Sequence, residues 1–89
     1  MFHEYYDLLK GTGVDVKKPA RVETKSDLKL AMQYFVCKYR ERIKLILTAL
    51  GEEDCDKTLY VIHHCIEDAR MLHMSFEELE ESVEYVLGI

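Results

Sequence analysis

The strongest constraint on the fold is a long run of apolar residues at helical spacing in the middle of the chain. These residues recur at steps of three or four: Leu28, Met32, Phe35, Tyr39, Ile43, Ile46 and Leu50. Such spacing keeps one face of a helix apolar over about seven turns. Thr24 and Ser26 precede the run as candidate N-caps, and Gly51 follows it where a helix commonly ends. The pattern therefore predicts a single helix over residues 25–50.

Three shorter segments repeat the same apolar period. One covers residues 2–10 and ends before Gly11, and a second follows the acidic cluster at residues 52–54. The last begins at Ser75, which has Glu78 three residues further on, the spacing of a capping box. Short connections predict that the last three helices run antiparallel to their neighbours. The sequence thus predicts an all-α fold: a four-helix bundle-like domain with a short first helix, an arm, the long helix and two shorter helices.

Length and composition limit the organisation of the chain. Its 89 residues leave room for one domain, 1–89. Within it, residues 12–24 lack a helical period and are predicted to form an arm or linker. No apolar run reaches the ~18–20 residues of a membrane span, and the first residues lack the pattern of a secretory signal. The three cysteines form no CxxC pair and their number is odd, which favours thiols in a reducing compartment. We therefore expect a cytoplasmic protein.

Charge is distributed unevenly along the chain, whose formal net charge is −5. Residues 17–44 contain nine lysines and arginines and three acidic residues, whereas residues 45–89 contain two and eleven. In one interpretation the two halves pack side by side and their charges pair, each exposed pair contributing about 0–1 kcal/mol. In the other, the halves present surfaces of opposite sign to different partners.

The last helix favours the second interpretation. Five glutamates lie between positions 77 and 84, and no lysine or arginine follows Arg70. Like charges one turn apart destabilise a helix, and the sequence places no cation nearby. We therefore predict a non-enzymatic regulatory protein, without a cofactor, that binds a basic protein surface. The predicted binding residues are Glu77, Glu80, Glu81, Glu84, Glu52 and Glu53.

Two further features predict additional contacts. The apolar stripe of the long helix is wider than three short helices are expected to cover, and the basic and acidic halves are able to pair between subunits. A homodimer is therefore expected. The chain also has six tyrosines, more than so small a core normally hides with satisfied hydroxyl groups. Either Tyr5 and Tyr6 on the short first helix, or Tyr34 off the main apolar stripe, are predicted to belong to a contact surface, where aromatic residues are enriched.

A basic patch supports an alternative function, that of a regulator that contacts nucleic acid. The patch combines cations of the long helix and of the arm: Lys38, Arg40, Arg42, Lys44, Lys17, Lys18 and Arg21. The simpler interpretation is that their stems cover the edges of the apolar stripe while their charged ends stay in water. The isoelectric point of 5.3 lies far below that of a dedicated nucleic-acid binder.

One cluster has the residue types of a metal site. His63 and Glu67, and likewise His64 and Asp68, lie one helical turn apart, so each pair offers two ligands. A closed site needs three or four ligands, and no further ligand lies at a recognisable spacing. We therefore expect surface histidine–carboxylate pairs rather than a metal site, and we assign no catalytic residue.

Overall fold

The computed structural model describes residues 3–11, 17–50 and 55–89, and within these ranges the chain forms five α-helices. They are α1 (His3–Lys10), α2 (Lys25–Lys38), α3 (Arg40–Leu50), α4 (Cys55–Met71) and α5 (Phe76–Leu87). The described ranges contain no β-strand. The helices pack into one body of 34 × 23 × 23 Å. The predicted all-α, bundle-like fold is confirmed.

The segment predicted as one helix over residues 25–50 is divided into α2 and α3 at Tyr39. Tyr39 has a φ of −104° and a ψ of 24°, outside the usual helical range. The backbone hydrogen bonds nevertheless continue through the bend, from the Tyr39 amide to Phe35 and from the Ile43 amide to Tyr39, both at 2.9 Å. Because neither proline nor glycine lies in this segment, the sequence carries no local signal for the bend.

Side-chain caps determine where α2 and α5 begin. The Thr24 hydroxyl accepts a hydrogen bond from the Asp27 amide at 3.2 Å, and the Asp27 carboxylate accepts one from the Thr24 amide at 3.0 Å. Ser75 and Glu78 form the same reciprocal pair at the start of α5, as their spacing predicts. After α5 the chain continues into Gly88, whose φ of +75° is readily adopted by glycine.

Aromatic rings lie at the centre of the core. Phe35 of α2 stacks on Phe76 of α5, with 5.3 Å between ring centroids and 5° between ring planes. Tyr34 meets both rings edge-on. Fully buried aliphatic side chains surround them: Met32, Val36, Ile43, Leu59, Ile62, Ile66, Leu79 and Val83. The core-facing apolar residues of α2 are therefore covered within one chain.

The described part of the arm packs against the helices. Residues 17–24 are not helical, as predicted, whereas residues 12–16 and the predicted acidic start of the next helix at 52–54 lie outside the described residues. Val22 is buried in the core. The Nζ atom of Lys18 lies 5.3 Å from the centre of the Phe76 ring. The arm thus contributes to the core as well as connecting helices.

Replacing Phe35 by alanine is expected to lower the free energy of unfolding by about 3–5 kcal/mol, because it removes a buried ring from an aromatic stack. That loss is a large share of the ~5–15 kcal/mol that stabilises a typical domain. Urea denaturation followed by circular dichroism measures it. Tyr85→Ala is the control, since Tyr85 is 85% exposed and its removal should change stability by no more than about 0.5 kcal/mol. Equal losses in the two variants would contradict the packing described here.

Candidate functional site

The α5 glutamates predicted to form one acidic surface divide into two sets. Glu80 and Glu84 are partly buried and bond to other parts of the chain, whereas Glu77 and Glu81 are exposed. Neither Glu77 nor Glu81 has a hydrogen bond or ion pair within residues 3–11, 17–50 and 55–89. The two remaining predicted residues, Glu52 and Glu53, lie outside the described residues. The outward acidic surface of α5 is therefore smaller than its sequence indicates.

Two lysines hold the Glu80 carboxylate. The Nζ atom of Lys18 lies 2.6 Å from Oε1 of Glu80, and the Nζ atom of Lys38 lies 2.6 Å from Oε2. The Glu80 side chain is only 12% exposed. The expectation that no cation lies near the acidic helix is therefore wrong for Glu80. The physical reason is tertiary: the arm and the end of α2, both distant in sequence, come together at α5.

The lysines also determine the charge state of Glu80. Its burial acts to raise the pKa, but the hydrogen bonds from Lys18 and Lys38 outweigh burial and lower the pKa below the ordinary value of 4.5. The hydrogen bond to Glu80 likewise raises the pKa of Lys38, although burial opposes the rise. At neutral pH the carboxylate and both ammonium groups are therefore charged.

Glu84 is joined to the bend between α2 and α3. Its Oε1 atom accepts a hydrogen bond from the Tyr39 hydroxyl at 3.1 Å. Burial raises the pKa of Tyr39 to about 12, and the bond to Glu84 contributes to the rise while Lys38 opposes it. Tyr39 is therefore a neutral hydrogen-bond donor at physiological pH. One turn apart on α5, Glu80 and Glu84 both bond to residues at the end of α2.

The predicted nucleic-acid patch is also partly used within the chain. Arg40 donates from Nε to the Leu8 carbonyl at 2.8 Å, and Arg42 donates from Nε to the Leu87 carbonyl at 2.7 Å. These carbonyls lie at the C-terminal ends of α1 and α5, where helices lack internal donors and cations are favourable. Lys38 and Lys18 contact the Glu80 carboxylate instead, so four of the seven patch residues bond to another part of the chain. The remaining three are exposed: Lys17, Arg21 and Lys44.

An open groove of about 590 Å³ lies between α4 and α5. Its lining combines half-buried and exposed apolar side chains with polar ones: His64, Cys65, Asp68, Met74, Glu78, Glu81, Ser82, Tyr85 and Val86. None of these described lining residues is a lysine or arginine. Tyr85 is 85% exposed and Val86 is 42% exposed, so the apolar side chains of this face are not covered by the rest of the described chain.

The two histidine–carboxylate pairs form as their spacing predicts. Nε2 of His63 lies 3.7 Å from Glu67, and Nε2 of His64 lies 3.5 Å from Asp68. The His64 ring also stacks on Tyr60. Across the described ranges, no three histidine, cysteine, aspartate or glutamate side chains come close enough to hold a metal ion. His64 and Asp68 belong to the wall of the groove instead.

The cysteines for which side chains are described are free thiols. Cys37 and Cys65 are both half-buried, and the side chain of Cys55 lies outside the described set. Burial raises the pKa of Cys65, and the charge of Asp68 adds to the rise. The Cys65 thiol is therefore neutral at physiological pH and is a poor nucleophile.

Comparison with known proteins identifies no relative: no protein-family model, curated protein or solved structure matches the chain. The function must therefore be argued from the residues themselves. Among the helices of the described residues, none is both long enough and apolar enough to cross a membrane.

The sequence did not reveal the groove. The surplus of tyrosines points to a contact surface, but the tyrosines predicted for it, Tyr5 and Tyr6 or Tyr34, are not the most exposed ones. Tyr5 is buried and the other two are half-buried, whereas the strongly exposed tyrosines are Tyr60 at 58% and Tyr85 at 85%. Both lie away from the apolar stripes of their helices, and this position in the sequence pattern is the feature that identifies them as exposed.

Glu80→Gln is expected to lower the free energy of unfolding at neutral pH by about 1–2 kcal/mol, because a charge-assisted hydrogen bond from Lys38 and a close ion pair with Lys18 are weakened. The pKa of Glu80 is lower in the folded chain than in the unfolded one. Its contribution is therefore fully present above the unfolded pKa and is lost as the pH falls through the folded pKa. Urea denaturation of both proteins between about pH 7 and about pH 3 measures the difference.

The matched control for this measurement is Glu81→Gln, the same change one residue further along α5 on an exposed side chain. It should leave stability nearly unchanged at every pH. A difference between Glu80→Gln and the unmodified chain that stays constant as the pH falls would contradict the ion-pair assignment.

Proposed function

We propose that this chain is a non-enzymatic regulatory protein of the cytoplasm that binds a basic protein surface through the outward side of α5. The observation that carries the proposal is a row of three exposed side chains at steps of four on this helix, Glu77, Glu81 and Tyr85. Residues four apart lie next to each other along a helix surface. The row therefore offers two carboxylates and an aromatic ring to one partner.

The energetics of the row support a partner of positive charge. Two glutamates one turn apart repel each other, at a cost of about 0.2–0.5 kcal/mol to the helix. Within the described chain no lysine or arginine lies close enough to Glu77 or Glu81 to relieve this repulsion. A cation supplied by a partner relieves it and forms new ion pairs, so association is favoured by charge. Tyr85 adds the amphipathic aromatic surface that is enriched at protein interfaces.

The nucleic-acid alternative has less support. Lys38, Arg40 and Arg42 bond within the chain. Of the predicted patch, Lys17, Arg21 and Lys44 are exposed without a bond to another helix of the described chain. A gel shift with duplex DNA at low salt distinguishes the two functions, since phosphate-driven binding falls steeply as salt is raised. A shift that Lys44→Glu removes would favour the alternative.

A homodimer remains a prediction, now on narrower grounds. The apolar face of α2 is covered within one chain, and several cations of the basic half already have partners. What supports self-association is the exposed apolar surface at the end of α4 and in the turn that follows it, with Met71 at 70% and Leu72 at 71% exposure. Sedimentation equilibrium over a range of concentrations measures the solution mass.

Reversing the charge of Glu77 and Glu81 together, as Glu77→Lys/Glu81→Lys, is expected to weaken partner binding at least about tenfold at low salt, because attraction becomes repulsion. The partner is first captured from the native host on the immobilised chain and identified by mass spectrometry. Its purified form is then titrated against both proteins by calorimetry at about 50 mM and about 300 mM salt, the second of which screens exposed charges.

The control variant Asp7→Lys/Glu23→Lys changes net charge by the same amount at exposed carboxylates on α1 and on the arm. It should retain most of the binding. Equal loss in the two variants would mean that only net charge matters, and equal retention would contradict a role for α5.

A further inference from the structure

The groove between α4 and α5 has the form of a position in a helical bundle where one more helix is able to pack. The two helices are joined by residues 72–75 and pack directly on each other, as expected of an antiparallel pair. Neighbouring side chains along such a pair leave a seam that a further helix is able to fill, ridge into groove. Here the seam is open and Tyr85 and Val86 remain exposed along it.

From the shape and charge of this groove we infer that it binds one amphipathic helix of a protein partner. The helix has an apolar side that faces the seam and basic residues along its edges. The inference rests on the proposed function and specifies the shape of the partner segment. It is carried by two independent properties of the same groove, its uncovered apolar side chains and its charge.

The apolar part of the groove supplies the contact area. Met74 and Cys65 are half-buried in it, and Val86 and Tyr85 extend the apolar surface outward. Tyr60 stacks on the lining residue His64 and adds a second exposed ring. Tyrosine is one of the residues enriched among those that carry most of the binding energy at protein interfaces.

The charge of the groove selects the partner. Its lining includes three carboxylates, Asp68, Glu78 and Glu81, together with His64 and the neutral thiol of Cys65. Asp68 lies 3.5 Å from His64, and the Glu78 carboxylate accepts hydrogen bonds from the amide and the hydroxyl of Ser75. Glu81 has no partner in the described chain. Lysines or arginines at the edges of a bound helix therefore meet carboxylates on the groove walls.

The backbone explains why the bound segment is a helix. The amide and carbonyl groups of α4 and α5 are used within those helices, so the walls of the groove offer mainly side chains. An extended peptide gains its backbone hydrogen bonds from a sheet edge, and the described ranges contain no strand. A helix satisfies its own backbone groups. From Glu78 to Val86 the groove wall spans about 12 Å, which matches two turns of a partner helix.

A second copy of the chain fits this groove less well than a foreign helix. The cations at the end of α2 and the start of α3 that would meet the carboxylates are held by Glu80 and by helix-end carbonyls. Lys44 is exposed but lies 3.8 Å from Glu41 on its own helix. Most cations around the bend between α2 and α3 are therefore already used within the chain and are not available to the groove of a second copy.

The test uses the full chain and a fluorescent synthetic peptide of about 14 residues, roughly four helical turns. The peptide carries leucines on one helical face and lysines and arginines along both edges of that face. A second peptide has the same composition in an order that destroys the amphipathic face, and a third replaces the cations by glutamine. Fluorescence anisotropy measures binding at low salt.

Binding of the first peptide alone is expected. Tyr85→Ser should weaken it at least about tenfold, as for an interface anchor. The matched control Leu45→Ser removes an apolar side chain that is 61% exposed on α3, and it should change affinity less than about twofold. Glu81→Gln should weaken binding and reduce its salt dependence, whereas Asp7→Asn should not.

Other outcomes overturn the inference in distinguishable ways. If the first and second peptides bind equally, the proposed function with a basic partner is still supported, but the inference that a helix binds in the groove is excluded. Equal binding of the first and third peptides contradicts both the inference and the role of charge in the proposed function.

The variants and the solution mass supply further outcomes. If the first peptide binds tightly and Tyr85→Ser does not change its affinity, the peptide binds outside the α4–α5 groove. A Tyr85-dependent dimer assigns the groove to a second copy. Absence of peptide binding up to about 1 mM overturns the inference, and the titration of the captured partner then decides the proposed function separately.

Discussion

The structure depends on the charged and polar side chains at the bend between α2 and α3. Within five residues, Lys38 bonds to Glu80, Tyr39 to Glu84, Arg40 to the end of α1 and Arg42 to the end of α5. Lys18 brings the arm to the same carboxylate. Each cation meets either a carboxylate or the negative end of a helix, where its charge is favourable. The junction of α2 and α3 is therefore bonded to α1 and to α5, and the arm meets it at Glu80.

This use of charge inside the fold changes how the uneven charge distribution should be understood. Some cations of the basic half pair with acidic residues of the other half, as the pairing interpretation predicts. Others do not make such pairs. On the α4–α5 side of the molecule, the exposed surface is negative along the outward side of α5 and apolar in the seam with α4. A surface with both properties favours a partner that supplies both complements, and a neutral apolar partner or a flexible polycation supplies only one of them.

The features predicted correctly from the sequence are those that depend on neighbours along the chain. Helical periods, the Thr24 cap and the reciprocal pair of Ser75 and Glu78 are local, and the structure reproduces them. The bend at Tyr39 is not local, because its backbone has an unusual conformation without glycine or proline. The partners of Glu80 are also invisible in the sequence, since Lys38 lies 42 positions away. Local patterns thus identify which residues are charged, and only the packed chain determines which charges remain available.

The C-terminal end of α5 links two positions that are far apart in the sequence. A β-carbon built on Gly88 would lie 2.8 Å from the Nη2 atom of Arg42, which donates a hydrogen bond to the Gly88 carbonyl at 3.2 Å. Any larger residue at position 88 therefore meets two obstacles, the left-handed backbone and the arginine itself. Shortening the side chain at position 42 removes the second obstacle but leaves the carbonyls of α5 without their donor. Substitutions at these two sites should for that reason be non-additive: after the arginine is lost, alanine at position 88 should cost less than it does in the intact chain.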